Sequence, residues 1–347
     1  MPATIVVGGQ FGSEGKGKVA HHLAASRGAR AAVRVGGPNS GHSTMAPAAS
    51  RRILRQLPTA AVLADVLCVV PAGAYVDPPV LLREIAEVAL APERLIIDPA
   101  AMVVLEQDRR AEEASGLGTR IGSTCSGTGA AVVRRVERSS NEHLAAHHPE
   151  LKRYVRPVAG VLRDILDADD RVVIEGTQGF GLSLLHSPYY PKATSRDTSA
   201  AAALSETGLS PFDVDEVVLV LRAFPIRVAG DSGPFGAPEI DWGTVAAEGG
   251  HHETVAEFTS VTGRLRRVAR FDPELVRQAI LVNRPTSIVL NHVDQVDARA
   301  RRGELTSAAS DFVAWVAEAI GQPVDLVGLG PHLLVSGGVR EAVAVQG

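Results

Sequence analysis

Residues 8–18, Gly8-Gly9-Gln10-Phe11-Gly12-Ser13-Glu14-Gly15-Lys16-Gly17-Lys18, gather five glycines and two lysines into one short stretch. A strand-to-helix loop of this kind offers an anion backbone N–H groups, cations and the positive end of a helix dipole. Gly12, Gly17 and Lys18 fall on the triphosphate-loop spacing G-x-x-x-x-G-K. Val19 follows, where that pattern carries a magnesium-binding Ser or Thr. Gly15 to Ala20 also fits the dinucleotide pattern G-x-G-x-x-A. That reading requires an acid about 20 residues on, whereas the second strand ends Arg34-Val35-Gly36. Phosphate binding is the chemistry expected here. Lysine occurs only at 16, 18, 152 and 192, so two in one loop suggest a place for a compact ammonium rather than a guanidinium. A second glycine segment, Gly36 to Thr44, carries His42, a residue type suited to acid–base work near neutral pH.

The elements that must position these loops alternate. Thr4–Val7, Ala31–Val35, Leu67–Val70, Arg94–Ile97, Val172–Ile174, Val217–Leu221 and Ser287–Leu290 read as strands. Gly17–Arg27 and Pro79–Leu90 read as helices. Uniformly apolar strands separated by helices imply an α/β fold with a mainly parallel central sheet covered on both faces. Ligands of such sheets sit at the carboxyl ends of the strands. That places chemistry in the polar glycine-rich segments 8–17, 36–44, 122–129, 176–181, 192–199 and 229–236.

The 347 residues are 45% hydrophobic and 21% charged, enough for a large core and against global disorder. A net charge of −4 argues against a nucleic-acid binder. Only Cys68 and Cys125 are present, so no disulfide framework is expected and a reducing, cytoplasmic compartment is. The first residues lack the charged start of a signal peptide, and no apolar run reaches the roughly 18 residues of a membrane span.

Taken together, the loops at 8–18 and 36–44 resemble those of the adenylosuccinate synthetases, G-x-Q-[WF]-G-D-E-G-K-G-K and G-x-N-[AS]-G-H-[ST]. Further segments follow in family order: Ile121-Gly122-Ser123-Thr124 with Gly127-x-Gly129, Glu175-Gly176-Thr177-Gln178-Gly179, His186–Pro191 with Thr194-Ser195, Gly233-Pro234-Phe235, Thr262-Gly263-Arg264-Leu265-Arg266-Arg267, Asn291-His292-Val293-Asp294 and Ser336-Gly337-Gly338. The resemblance runs through the chain and implies one P-loop-NTPase-like catalytic domain over 1–347, working as a homodimer. It implies a C–N ligase: a nucleoside triphosphate phosphorylates O6 of a 6-oxopurine nucleotide, and the amine of L-aspartate displaces that phosphate.

Carried over position by position, the resemblance assigns roles. Gly12, Glu14, Gly15, Lys16, Gly17, Lys18, Gly41, His42, Ser43, Asn291, Asp294, Ser336 and Gly338 would hold the triphosphate. Ser13, Asn39, Ser123, Thr124, Gln178, Thr194 and Arg264 would hold the purine monophosphate, with Arg138 reaching the partner subunit's site. Val261, Thr262, Arg264 and Arg266 would hold aspartate, for whose carboxylates planar guanidinium forks are apt. Ser13 and the Gly41 carbonyl stand at the Mg²⁺ positions, and Ser13, Lys16, His42 and Gln178 at the catalytic ones. No nucleic acid or membrane is implied as a partner.

Two departures bear on substrate. His292 replaces a family lysine at the triphosphate's base, leaving ATP, dATP and GTP open as donors. Ser13 replaces the aspartate that takes the purine N1 proton, and a hydroxyl is no base at pH 7 without help. This could mark an inactive nucleotide-binding paralogue, an IMP enzyme using Glu14 or a water as base, or a changed substrate. Serine leaves space beside N1, where guanine carries its 2-amino group, and the exchange resembles the phage branch of the family, the 2-aminoadenylosuccinate synthetases. That branch implies dGMP as substrate, on the way to 2-aminoadenine DNA in a phage and hence in its host's cytoplasm.

Overall fold

The computed structural model describes residues 2–46, 50–138, 140–259 and 263–337. Eleven strands matter for the site: β1 (Ala3–Gly8), β2 (Ala31–Arg34), β3 (His42–Ala46), β4 (Ser50–Leu54), β5 (Leu67–Val70), β6 (Leu95–Ile97), β7 (Val172–Glu175), β8 (Val214–Arg222), β9 (Ser287–Asn291), β10 (Leu326–Gly328) and β11 (Leu334–Ser336). Nine of them form the central sheet in the order β11-β10-β9-β8-β1-β7-β2-β5-β6. Every neighbouring pair is parallel except the edge pair β10–β11. β1, β2 and β7 are buried throughout, which is why they carry apolar runs rather than alternation.

The described residues form ten helices: α1 (Lys16–Ser26), α2 (Pro78–Glu87), α3 (Glu106–Ala114), α4 (Leu117–Ile121), α5 (Thr128–Glu137), α6 (Val158–Asp167), α7 (Ala200–Thr207), α8 (Trp242–Glu248), α9 (Pro273–Asn283) and α10 (Ser307–Ile320). Side chains of β1 alternate between two cores. Ile5 and Val7 pack with Leu162 of α6, Leu204 of α7, Leu275 of α9 and Val313 of α10. Val6 packs with Val19 and Leu23 of α1. Full burial of each such side chain stabilises by roughly 1.5–3 kcal/mol. α2 begins at Pro78 under an Asp77 cap whose side chain accepts the Val80 N–H, so proline's missing donor goes unfelt.

Strand register brings distant polar residues side by side. Arg34 ends β2 opposite Glu175, which ends β7. Arg222 ends β8 opposite Asn291, which ends β9. β1 lies between the two halves of the sheet, the chain running outward to β6 on one side and to β11 on the other. The loop leaving β1 therefore sits at the topological switch point.

Some boundaries differ from expectation. The second helix ends at Glu87, not Leu90, and Ser336 lies in the antiparallel edge strand β11. The segment 36–44 is not all loop, because at His42 it enters a hairpin in which β3 pairs antiparallel with β4. An apolar-to-polar alternation too short to stand out hid that hairpin.

Candidate active site

The loop after β1 is shaped by one buried carboxylate. Glu14 is fully buried and accepts from the N–H groups of Gln10 and Gly12 at 3.1 and 2.8 Å and from Lys16 Nζ at 2.6 Å. It is therefore internal scaffolding and does not line the cavity, which disfavours it both as a direct triphosphate ligand and as a substitute base. Gly15 leads into α1 at φ 90°, and a Cβ there would lie 2.7 Å from Asn291 Nδ2. Asn291 in turn donates to the Glu14 carbonyl at 2.8 Å.

Lys16 is almost fully buried yet lines the main cavity. Lys18 points elsewhere: its Nζ donates to the Gly330 and Leu333 carbonyls at 3.0 and 3.5 Å, between β10 and β11. Burial lowers its pKa to about 8 against the raising effect of Asp294. Only the first of the two loop lysines thus faces the cavity.

Around that cavity the structure gathers Gly12, Ser13, Lys16, Asn39, Gly41, His42, Ser123, Thr124, Gln178, Thr194, Arg264 and Arg266. Glu14, Gly15, Gly17, Lys18, Ser43, Asn291, Asp294, Ser336 and Arg138 do not line it. Asp294 is paired with Arg301 Nε at 3.0 Å. Arg138 is exposed at the end of α5, in the left-handed region at φ 55°, with its Nε on the Val136 carbonyl at 3.1 Å. Val261, Thr262 and Gly338 lie outside the described residues.

His42 is not the exposed loop residue that a histidine among glycines suggests. It is buried, with Nδ1 2.5 Å from Glu175 Oε1 and Arg34 Nη1 against the same ring nitrogen. Arg34 Nη1 also donates to Glu175 Oε1 at 3.0 Å, and the other carboxylate oxygen accepts from Thr59 N and Oγ1 at 2.7 and 2.8 Å. Burial would raise the Glu175 pKa, but the His42 hydrogen bond and the Arg34 charge hold it at about 2. Burial and Arg34 lower His42 to about 3, the Glu175 contact opposing. In the free protein His42 is thus a neutral ring that hydrogen-bonds the ionised Glu175 through Nδ1, with Nε2 3.3 Å from Arg34 Nη1.

A pH dependence of stability follows. The unfolded chain protonates His42 below about 6.5 and the folded chain only near 3. Its contribution is therefore complete above pH 6.5 and is lost as pH falls toward 3. Melting temperature should drop over that window, less steeply in His42→Gln. An equal slope in the variant would remove His42 as the cause.

Opposite lies a wall rich in hydroxyls. Ser123, Thr124, Ser126 and Thr128 line it, with Ser126 Oγ 3.3 Å from both Thr124 Oγ1 and Thr128 Oγ1. Glu112 of α3 also lines the cavity, its carboxylate accepting from the Gly127, Gly129 and Ala130 N–H groups at 2.8, 2.6 and 3.3 Å. Arg227 is buried with its guanidinium 4.3 Å from the Phe11 ring centroid. Lys192 pairs with Asp231 at 2.6 Å and donates to the Arg120 carbonyl at 2.5 Å. Arg34, Arg227 and Lys192 were not anticipated as site residues. The signal for Arg34 was there, a lone charge closing an otherwise apolar strand.

Ser13 is exposed in the cavity at φ 58°. Asp and Asn tolerate that left-handed region better than Ser does, so backbone economy does not explain a serine there. Gln178 is likewise left-handed, at φ 57°, facing the same space.

A sequence profile of the adenylosuccinate synthetase family matches residues 5–145 and 139–301. The adenylosuccinate synthetase of Thermococcus onnurineus is 36% identical over 341 residues, covering 96% of this chain and 97% of its own. That of Methanocaldococcus jannaschii is 36% identical over 344 residues, covering 96% and 95%. Among solved structures, the succinoaminodeoxyadenylate synthetase (PurZ) of cyanophage S-2L, bound to dGMP and dATP as an energy donor, aligns with a TM-score of 0.82 at 27% identity. That alignment covers 98% of this chain and 96% of the phage one. The fully ligated adenylosuccinate synthetase of Plasmodium falciparum, at 18% identity and a TM-score of 0.80, shares the fold. Fold and relatives together define a C–N ligase. The chain belongs to the adenylosuccinate synthetase family.

Proposed function

We propose that this ligase joins L-aspartate to C6 of dGMP, forming 2-amino-2′-deoxyadenylosuccinate in a phage pathway to 2-aminoadenine DNA. The observation that carries the reading is Ser13: a small hydroxyl exposed in the cavity where the family has a carboxylate. It leaves room for guanine's 2-amino group and can accept from it. The likeness to the cyanophage enzyme, described with dGMP, supports the same substrate. The curated relatives, at 34–36% identity, are named plainly as adenylosuccinate synthetases, which favours IMP as the second reading.

The reaction has two steps. O6 attacks the γ-phosphorus, the nucleoside diphosphate leaves, and N1 gives its proton to a solvent water, the acceptor left once Glu14 is turned inward. The aspartate amine then attacks C6 and inorganic phosphate departs. Lys16 stabilises the charge on the transferring group, as positioning and neutralisation dominate such transfers. His42 hydrogen-bonds the developing charge through Nε2, gaining its proton as the triphosphate's negative charge arrives. Gln178 and Asn39 orient the purine nucleotide, Ser123, Thr124 and Thr194 its phosphate, and Arg264 and Arg266 the carboxylates of aspartate.

Ser13 and the Gly41 carbonyl offer oxygen donors that suit a hard cation, and the described residues contain no cluster of three or more ligating His, Cys, Asp or Glu. Mg²⁺ would therefore be held chiefly by triphosphate oxygens with those two groups beside it, and it would supply charge neutralisation. An adenine donor, ATP or dATP, fits better than GTP: Asp294 is already committed to Arg301 and His292 stands in the family lysine's place. A homodimer would suit the exposed Arg138, which follows the exposed Val133 and Val136 of α5. Residues 1–347 would form one catalytic domain. The two free cysteines fit a reducing cytoplasm, and no helix among the described residues is long and apolar enough to cross a membrane.

The test assays dGMP, GMP and IMP separately, each with aspartate and either ATP or GTP. The expected result is aspartate-dependent phosphate release with dGMP above the others. Turnover of IMP alone would overturn the dGMP reading, and nucleotide binding without turnover would mark an inactive paralogue.

A further inference from the structure

Arg222 is a fully buried arginine that closes the apolar run Val217–Leu221 of its strand. Burying a guanidinium is costly unless its donors are met by charge and good geometry. Here they reach in two directions. Nη1 donates to the Ser13 carbonyl at 3.0 Å, holding the phosphate loop at its left-handed residue. Nη2 pairs with Glu257 Oε1 at 2.5 Å, and Nη1 lies 3.3 Å from Oε2. The backbone of Arg222 is itself fixed by Gln10, whose amide bonds both its N–H and its carbonyl at 2.9 and 3.2 Å.

Glu257 is the root of the arm that carries Arg264 and Arg266. Its carbonyl accepts the Arg266 N–H at 2.8 Å, and the Thr259 N–H donates to the Arg264 carbonyl at 2.9 Å. Gln295 Nε2 donates to the Glu257 carboxylate at 3.2 Å, and His292 Nδ1 stands 3.9 Å from it. Burial would raise the Glu257 pKa, but Arg222 and His292 hold it at about 2, so the pair stays ionised. One guanidinium thus ties the loop that meets the triphosphate to the arm that meets aspartate.

We propose that Arg222, through Glu257, is a positioning residue that couples the state of the phosphate loop to aspartate binding. The inference rests on the reading above that Arg264 and Arg266 receive aspartate. It does not depend on which purine is used. A loop displaced at Ser13 shifts Arg222, and Arg222 shifts the root of the arm.

The test measures kcat and KM for aspartate and for the triphosphate in wild type, Arg222→Met, Arg222→Lys, Glu257→Gln and the Arg222→Met/Glu257→Gln double variant, using whichever monophosphate the wild type converts. Arg222→Met and Glu257→Gln should each raise the aspartate KM about tenfold, the usual size of a coupling between sites. The triphosphate KM should stay within about threefold, and the double variant should be no worse than the poorer single one, because both break the same link. Arg222→Lys should recover part of the loss. An unchanged aspartate KM, or additive losses in every constant together with a lowered melting temperature, would reduce Arg222 to a structural strut. A wild type that consumes no aspartate with any monophosphate would instead sink the reading of the arm, and this inference with it.

Discussion

Replacing His42 by alanine will lower kcat by roughly 10²–10³-fold, the span typical of a lost proton donor, while nucleotide affinity changes little. His42 lies at the start of a hairpin strand and packs against Arg34 and Glu175 rather than forming part of the hydrophobic core, so its removal leaves the cavity's other walls in place. Single-turnover kinetics with titration calorimetry separate the two effects. A near-normal rate would disqualify His42 from the chemistry. Because the ring is neutral in the free protein, with its pKa at about 3, kcat/KM should show no break near 6.5 from this group. Any break in kcat belongs to the complex, where the triphosphate has raised it.

The second large effect concerns selectivity. Ser13→Asp should shift the ratio of kcat/KM for dGMP over IMP by about tenfold or more toward IMP, the scale on which one pocket contact discriminates. The left-handed backbone at Ser13 accepts aspartate readily, and its side chain has no hydrogen-bond partner among the described residues to lose. Because no such partner is lost and the backbone already suits aspartate, the variant should fold as the wild type does. Unchanged selectivity would take position 13 out of the substrate argument and leave the IMP reading the stronger.

Much of the site was legible in the chain because its signals are local. Five glycines and Lys16 within residues 8–17 announce a phosphate loop whatever surrounds them. Apolar runs that end at glycine announce β1, β2 and β7, and a bare apolar run announces β9. What stayed hidden depends on register between distant strands. Nothing near Arg34 says that Glu175 will stand opposite it, 141 residues on. Nothing near Arg222 points to Glu257. Glu14 and Lys18 carry the residue types of a phosphate site, yet packing turned them inward and toward the β10–β11 edge. The hydroxyl wall at 123–128 reads as a polar loop, but its carboxylate cap comes from Glu112 on α3, a charged segment with no large apolar residue to mark it as a helix.

The grip of Lys18 on the Gly330 carbonyl spans 312 positions, and β1 docks against residues that begin at Val214. Of the strands in this sheet, the one made earliest is thus the innermost, and it must wait for neighbours made much later. Folding dominated by such remote pairings is slow. During synthesis the emerging N-terminal third carries bare, sticky strand edges, so yield of this enzyme in a foreign cell should hinge on chaperone supply and growth temperature more than on codon choice.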